Sequence, residues 1–169
     1  MEGEIINKVA ASGLITIDLE EFYDKRERLV YDLKHNLFHE LILKEKDFRQ
    51  FLKEHDWNNY AGKNVSVVCT ADAIIPTWAY MLIVSRLVGL ANHVVVGDQK
   101  ALDQSLLQIA IGNLNIEKYR GAKVVVKGCG DFGIDVYAYG EITRKLVPVV
   151  SSIMYGEPCS TVPVFKAKS

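Results

Sequence analysis

The feature that most constrains the fold of this chain is an internal repeat with a period of 59 residues. Residues 60–98 align with residues 119–157 without a gap, and the two segments end in Gly-Asp and Gly-Glu. Identical residues recur along the alignment, among them Tyr60/Tyr119, Gly62/Gly121, Val65/Val124, Asp72/Asp131, Tyr80/Tyr139 and Gly97/Gly156. The ungapped register favours an internal duplication, so the two segments should fold alike.

Each copy of the repeat predicts a strand, a helix and a second strand. The runs VSVVC and VVVK have the β-branched composition of buried strands, and HVVVG and SIMYG follow as the second strands. A helix begins near Pro76 in the first copy, because proline suits the first helical position, and the matching helix stops at Pro148. The predicted fold class is therefore α/β, with a mostly parallel sheet built from the repeats 60–98 and 119–157.

The order of the strands follows from two related halves joined in line. Such halves favour the order 2-1-3-4, in which the first strands of both halves lie side by side and open a crevice at their carboxyl ends. Before the repeats, LITIDL and RLVYDL predict an N-terminal β-hairpin at one sheet edge, and residues 44–57 predict an amphipathic helix. Residues 1–169 are expected to form a single α/β domain.

Composition and charge exclude several classes of function. The chain is 49% hydrophobic and 24% charged, which is typical of globular proteins, and its net charge of −1 gives no electrostatic basis for binding nucleic acid. The longest apolar run, at 73–84, is shorter than the roughly 20 residues of a membrane span. The acidic start MEGEIINK lacks the apolar region of a secretory signal. The sequence predicts a cytoplasmic protein without a nucleic acid or membrane partner and leaves homo-oligomer formation open.

Cysteines and carboxylates follow all four predicted parallel strands. Because the carboxyl ends of parallel strands meet at one edge of a sheet, these side chains are expected to form a common rim. Thiolates suit a soft or borderline metal ion such as zinc or iron, and carboxylates can complete the ligand set. The predicted metal ligands are Cys69, Cys129, Cys159, Asp72, Asp131 and Glu157. The alternative is that the cysteines pack as small hydrophobic residues and that the aspartates bond neighbouring backbone N–H groups.

Cys129 is the best candidate for a reactive thiol. It lies in a glycine-flanked turn before a helix, and Lys127 precedes it by two residues, so both features favour the thiolate. The predicted catalytic residues are therefore Cys129 and Lys127. None of the four histidines is placed near this turn by the predicted topology, which leaves a catalytic cysteine without a base.

The segment GCGDFG at 128–133 matches the glycine spacing of dinucleotide-binding loops. It follows a strand and precedes a helix, but Asp131 and Asp135 put negative charge where a pyrophosphate would lie. The corresponding loop of the first copy has no glycine. The glycines are therefore interpreted as residues that allow a tight turn, and no residue is assigned to cofactor binding.

Four segments give the chain a family resemblance: EKDFRQFLKEHDW, TADAIIPTWAYMLI, VVVKGCGD and SIMYGEPCSTVPVFK. With these segments nearly the whole chain resembles domain of unknown function 2480, a protein family of Bacteroidetes. The resemblance implies a cytoplasmic bacterial protein and a genetic neighbourhood of iron–sulfur cluster assembly components. It brings no catalytic residue to carry over.

Three function hypotheses remain. The first is an accessory protein whose rim binds a metal or handles sulfur in iron–sulfur cluster assembly, with the assembly proteins as partners. The second is an enzyme that depends on Cys129 or uses a nucleotide at GCGDFG. The third is a protein–protein adaptor without chemistry, in which the cysteines belong to the core and an apolar patch is exposed.

Overall fold

The computed structural model describes residues 13–128, 130 and 132–168. Its strands are β1 (Leu14–Asp18), β2 (Arg28–Asp32), β3 (Asn64–Val68), β4 (His93–Val96), β5 (Lys123–Lys127), β6 (Ser152–Glu157) and β7 (Ser160–Lys166). Its α-helices are α1 (Glu45–Glu54), α2 (Thr77–Leu87), α3 (Gln99–Gly112) and α4 (Val136–Leu146). Short 3-10 turns cover Leu19–Phe22, Leu33–Asn36, Trp57–Tyr60 and Ile116–Tyr119.

The chain divides into two compact units, each with its own sheet. The central unit is Asp24–Leu106, and the terminal unit is made of the chain up to Tyr23 and from Leu107 onward. The central sheet has the order β2-β3-β4, and all its pairs are parallel. The terminal sheet has the order β1-β5-β6-β7, in which β7 is antiparallel. The predicted α/β class with mostly parallel sheets is confirmed.

The two units share one order of elements. Each has a strand that ends in an aspartate, a 3-10 turn after that aspartate, a second 3-10 turn, and then strand, helix and strand. The strand registers correspond as well, since Asp32 lies opposite Val68 and Asp18 lies opposite Lys127, which is 59 residues after Val68. The correspondence therefore begins upstream of the 60–98 and 119–157 segments.

The cores of the two units are built by equivalent residues. Helix α2 buries Ala79, Ile83 and Leu87, a spacing of four residues that places them along one side of the helix. Helix α4 does the same with Ala138, Ile142 and Leu146. These side chains pack against inward-facing valines of the central strands, namely Val65 and Val67 in one unit and Val124 and Val126 in the other.

Two expectations about the sheets are wrong, and one strand was missed. The strands form two sheets rather than one sheet in the order 2-1-3-4. The N-terminal strands do not form a hairpin, because β1 pairs with β5 and β2 pairs with β3, both parallel. The reason is local: Asp18 caps a 3-10 turn by accepting a hydrogen bond from the Glu20 N–H, and this turn replaces the tight reversal that a hairpin needs. Strand β7 was not predicted.

Strand β7 joins the sheet through a short turn at Pro158 and Cys159. Gly156 has a φ of +117°, and a Cβ there would lie 2.6 Å from the Ser160 carbonyl oxygen, so the close approach of β6 and β7 requires glycine. Pro163 sits beside a register shift of this pair, a position where an outer strand tolerates proline. Proline in the segment obscured the strand pattern of the C-terminal residues.

Candidate functional site

The candidate site lies at the carboxyl ends of the terminal-unit strands and centres on Lys127. Its ammonium nitrogen Nζ lies 3.1 Å from Oδ2 of Asp18 and 4.0 Å from Oε1 of Glu157. Strand register explains this arrangement, because Asp18 is the direct partner of Lys127 in the β1–β5 pair and Glu157 is the last residue of β6. Three adjacent strand ends therefore supply one charged cluster.

The carboxylates around Lys127 stabilise its protonated form. The hydrogen bond and the negative charge of Asp18, followed by the charges of Glu157 and Glu20, raise the pKa of the Lys127 ammonium above its usual value of 10.5. The side chain is therefore a permanent cation at neutral pH. It can hold an anion or favour a neighbouring thiolate, but it is a poor proton acceptor.

Gly130 and Phe132, in the glycine-rich segment after Lys127, lie against a carboxylate of the protein itself. The Glu20 carboxylate lies where a Cβ on Gly130 would stand, and Glu20 Oε1 accepts a hydrogen bond from the Phe132 N–H at 3.3 Å. A Cβ on Gly128 would lie 2.7 Å from the Tyr139 hydroxyl. These glycines are thus required by close packing, and Glu20 takes the position beside the loop that a phosphate would need.

An aromatic contact also involves Phe132 of this segment. The ring of Phe132 stacks on Tyr23 with 4.7 Å between ring centroids and 16° between planes. Gly133 follows with a φ of +55°, a left-handed conformation that suits glycine. The conformation of Gly133 agrees with the interpretation of the glycines as turn residues, whereas Gly128 and Gly130 are explained by close packing.

Two of the predicted metal ligands belong to this edge of the terminal unit. Cys159 is exposed in the turn between β6 and β7, directly after Glu157 and Pro158, and Glu157 is exposed as well. Cys129 and Asp131 lie outside the described residues. The turn that carries Cys159 is tied to the end of β5 by the ion pair between Glu157 and Lys127.

The other two predicted ligands belong to the central unit. Cys69 is half-buried after β3, with its Sγ 3.8 Å from the Ala71 carbonyl oxygen, and Asp72 is exposed. Across the residues that the structure describes, no three His, Cys, Asp or Glu side chains form a group able to hold a metal ion. The six-residue ligand set therefore stays a prediction.

Sequence reasoning missed the aspartates that end the first strand of each unit. In the central unit, Asp32 accepts hydrogen bonds from the Thr70 N–H at 3.0 Å, the Thr70 hydroxyl at 2.5 Å and the Lys34 N–H at 2.9 Å. Burial alone would raise the pKa of Asp32, but these hydrogen bonds outweigh it and hold the pKa below its usual value of 3.8. The signal was available as the shared Asp-Leu step of LITIDL and RLVYDL.

The equivalent tyrosines Tyr80 and Tyr139 have different neighbours in the two units. Burial, followed by the neighbouring Cys69 and Asp32, raises the pKa of the Tyr80 hydroxyl, which places these three side chains near one another. In the terminal unit the equivalent Tyr139 directs its hydroxyl to Gly128, the counterpart of Cys69. Where the central unit places a thiol beside its tyrosine, the terminal unit places a glycine.

Each unit also has an apolar pocket between its repeat helix and the following strand. The pocket of the central unit, of about 460 Å³, is lined by Tyr80, Val84 and Val96. The pocket of the terminal unit, of about 360 Å³, is lined by the equivalent Tyr139, Thr143 and Tyr155 and also by Val164 of β7. Strand β7 thus contributes to a pocket wall that has no counterpart among the lining residues of the central unit.

The fold and the charged edge define an α/β protein with two similarly built units and one candidate site at strand carboxyl ends. The chain belongs to the family described as protein of unknown function (DUF2480), whose model matches residues 3–167. Neither a curated protein nor a solved structure matches the chain. In the described part of the chain, every helix is too short or too polar to cross a membrane.

Proposed function

We propose that this protein is an accessory protein that binds a soft metal ion or handles sulfur at the carboxyl ends of the terminal-unit strands. The observation that carries the proposal is the cation of Lys127, held between Asp18 and Glu157 directly before the Gly128–Cys129 step. A fixed positive charge close to a cysteine favours its thiolate, the form that binds metals and attacks sulfur. Cys129 is included in the proposed site because it follows Lys127 by two residues in the sequence.

Cys159 is the second thiol of the proposed site. It is exposed, and it follows Glu157, which is paired with Lys127, so its turn is attached to the same strand ends as the loop containing Cys129. Two thiolates with carboxylates nearby suit zinc or iron, and an exposed thiol pair also suits transfer of a sulfur atom between proteins. Iron–sulfur cluster assembly proteins are the partners that such chemistry would serve.

The enzyme alternative has less support in the geometry. All four histidines belong to the central unit, and Lys127 is held as a cation, so neither offers Cys129 a base within the terminal unit. Nucleotide use at GCGDFG would compete with the Glu20 carboxylate that lies against Gly130 and the Phe132 N–H. The adaptor alternative has a specific observation in its favour, which is the exposed apolar surface of helix α2.

Metal and sulfide analysis tests the proposed function. The untagged protein would be purified without air, and bound metal and acid-labile sulfide would be measured per chain. The same analysis would be made on Cys129→Ser and Cys159→Ser, with Cys69→Ser as the matched control in the central unit. We expect metal or sulfide in the wild type and in Cys69→Ser, and loss of it in the other two variants.

Two results would overturn the proposed function. One is a wild-type protein that carries neither metal nor sulfide and takes up neither on reconstitution. The other is a metal that remains bound in both Cys129→Ser and Cys159→Ser, since the ligands would then lie elsewhere.

A further inference from the structure

Strand β4 of the central unit has an open edge. It pairs with β3 on one side, and no strand among the described residues pairs with its other side. Its sequence HVVV contains no lysine, proline or bulge, which are the devices that usually protect an edge from pairing with another chain. The backbone groups of this edge are therefore available to a further strand.

The corresponding edge of the terminal unit shows what fits there. Strand β6, the counterpart of β4, is covered by the antiparallel β7, and Val164 of β7 also lines the neighbouring apolar pocket. An antiparallel strand with apolar side chains can therefore pair with this edge of the fold. The central unit has the edge and the pocket, but none of the strands that the structure describes covers this edge.

Helix α2, beside this edge, exposes apolar side chains. Met81 and Val88 are each 67% exposed, and Val96 on β4 is 52% exposed. Val84 and Ser85 follow Met81 by three and four residues on the same side of the helix, and Val88 comes directly after the helix, so none of these positions carries a charge. We call Met81, Val84, Ser85, Val88 and Val96 the α2 stripe.

Helix α4 differs at three of the five equivalent positions, while the counterpart of Val88 is the exposed Val147. Gly140 stands for Met81, Thr143 for Val84 and Arg144 for Ser85, and Arg144 is paired with Glu141 at 2.8 Å. The terminal unit thus has a covered edge strand and a charged helix surface. The central unit has an open edge strand and an apolar helix surface of the kind that marks a protein interface.

We propose that the α2 stripe and the edge of β4 form a two-fold interface with a second copy of this chain. A two-fold axis perpendicular to the sheet places β4 antiparallel to its own copy and brings the two α2 stripes together. An uncharged apolar stripe is complementary to itself, whereas a charged partner would bury charges without a counter-charge. The two three-stranded sheets would become one six-stranded sheet.

The mass of the protein in solution, measured by light scattering over a dilution series, tests this interface. We expect a dimer in the wild type and a monomer in Met81→Glu, because the variant places a like charge on both sides of the two-fold axis. Val136→Glu is the matched control: Val136 is 82% exposed at the start of α4, and its variant should remain a dimer. Circular dichroism would establish that both variants are folded.

Hydrogen exchange provides a second readout that needs no substitution. The amides of Val94 and Val96, which point away from β3, should exchange slowly in concentrated protein and faster on dilution, while the amides of β6 should not change. A wild-type protein that is monomeric at all concentrations would overturn the interface. So would a dimer that survives Met81→Glu, because its contact surface would then lie elsewhere.

Discussion

The terminal unit and the central unit share an order of elements up to β6, a strand register and equivalent core residues, but they differ at the strand carboxyl ends, on the outer helix surface and at the edge that β7 covers in the terminal unit. At the strand carboxyl ends, the terminal unit has the Lys127 cluster, whereas Asp32 of the central unit is occupied by hydrogen bonds from Thr70 and Lys34. On the outer helix surface, α4 is charged and α2 is apolar. The two units are therefore alike in their cores and different at their surfaces, where the terminal unit carries the proposed site and the central unit carries the proposed interface.

The shared core gives the largest expected effects. Ile83→Ala and Ile142→Ala remove equivalent, fully buried side chains, and each should lower the free energy of unfolding by about 2–5 kcal/mol. Urea denaturation of both variants measures the loss. Ile74, which is 95% exposed, supplies the control, since Ile74→Ala should change stability by no more than about 0.5 kcal/mol. If either core variant were as stable as the wild type, the two cores would not be energetically equivalent.

The next largest effects are expected at the glycines near the ends of β4 and β6. Gly97 and Gly156 both have positive φ, at +151° and +117°, and each is closely approached by other atoms. Alanine should cost about 1–3 kcal/mol at either position. The cost should be larger at Gly156, whose added Cβ would meet a backbone oxygen. Gly140→Ala is the control within α4, where alanine meets no atom within 4 Å and should stabilise the helix by up to about 1 kcal/mol.

The aspartate of the central unit should make stability depend on pH. Asp32→Ala removes a cap and the Thr70 hydrogen bonds, which should cost about 0.5–2 kcal/mol at neutral pH. Because the folded pKa of Asp32 is below 3.8, its contribution is present above that pH and is lost as the pH falls through the folded pKa. Unfolding midpoints of the two proteins should therefore converge in acid. A gap that persists at the lowest pH would show that the carboxylate charge has no part in it.

The smallest expected effect concerns the pKa of Lys127. Asp18→Asn should lower the pKa of Lys127 toward 10.5, because the first cause of its raised value is Asp18. Glu157→Gln should lower it less, since Glu157 is 4.0 Å away and Asp18 is 3.1 Å away. Nuclear magnetic resonance titration of the Lys127 side chain measures both shifts. The raised pKa implies stability that is present below about 10.5 and is lost as the pH rises through the folded pKa.

Much of the fold could be predicted from the sequence because the repeat and its β-branched runs are local signals. Strands β3 to β6 and the helix from Thr77 lie where the pattern places them. The pairing of strands could not be predicted, since β1 pairs with β5 more than 100 residues away along the chain and nothing near β1 encodes its partner. The hairpin prediction failed because the capped 3-10 turn after Asp18 replaces a tight reversal and because the partner of β1 is distant along the chain.

The candidate site could be predicted only in part. The carboxyl ends of strands correctly indicated where Lys127 and Glu157 meet, because parallel strands end at one edge. Asp18 and Glu20 were missed because they were assigned to a hairpin rather than to a strand beside β5. The loop glycines were explained by turning, but only the structure shows that Glu20 fills the space beside Gly130.

Cysteine protection tests most directly the claim that the site belongs to the terminal unit. Metal-free protein would be alkylated with and without zinc, and the labelling rate of each cysteine would be followed by peptide mass spectrometry. We predict that stoichiometric zinc protects Cys129 and Cys159 and leaves the labelling rate of Cys69 unchanged. Equal protection of Cys69, or protection of no cysteine, would contradict the assignment.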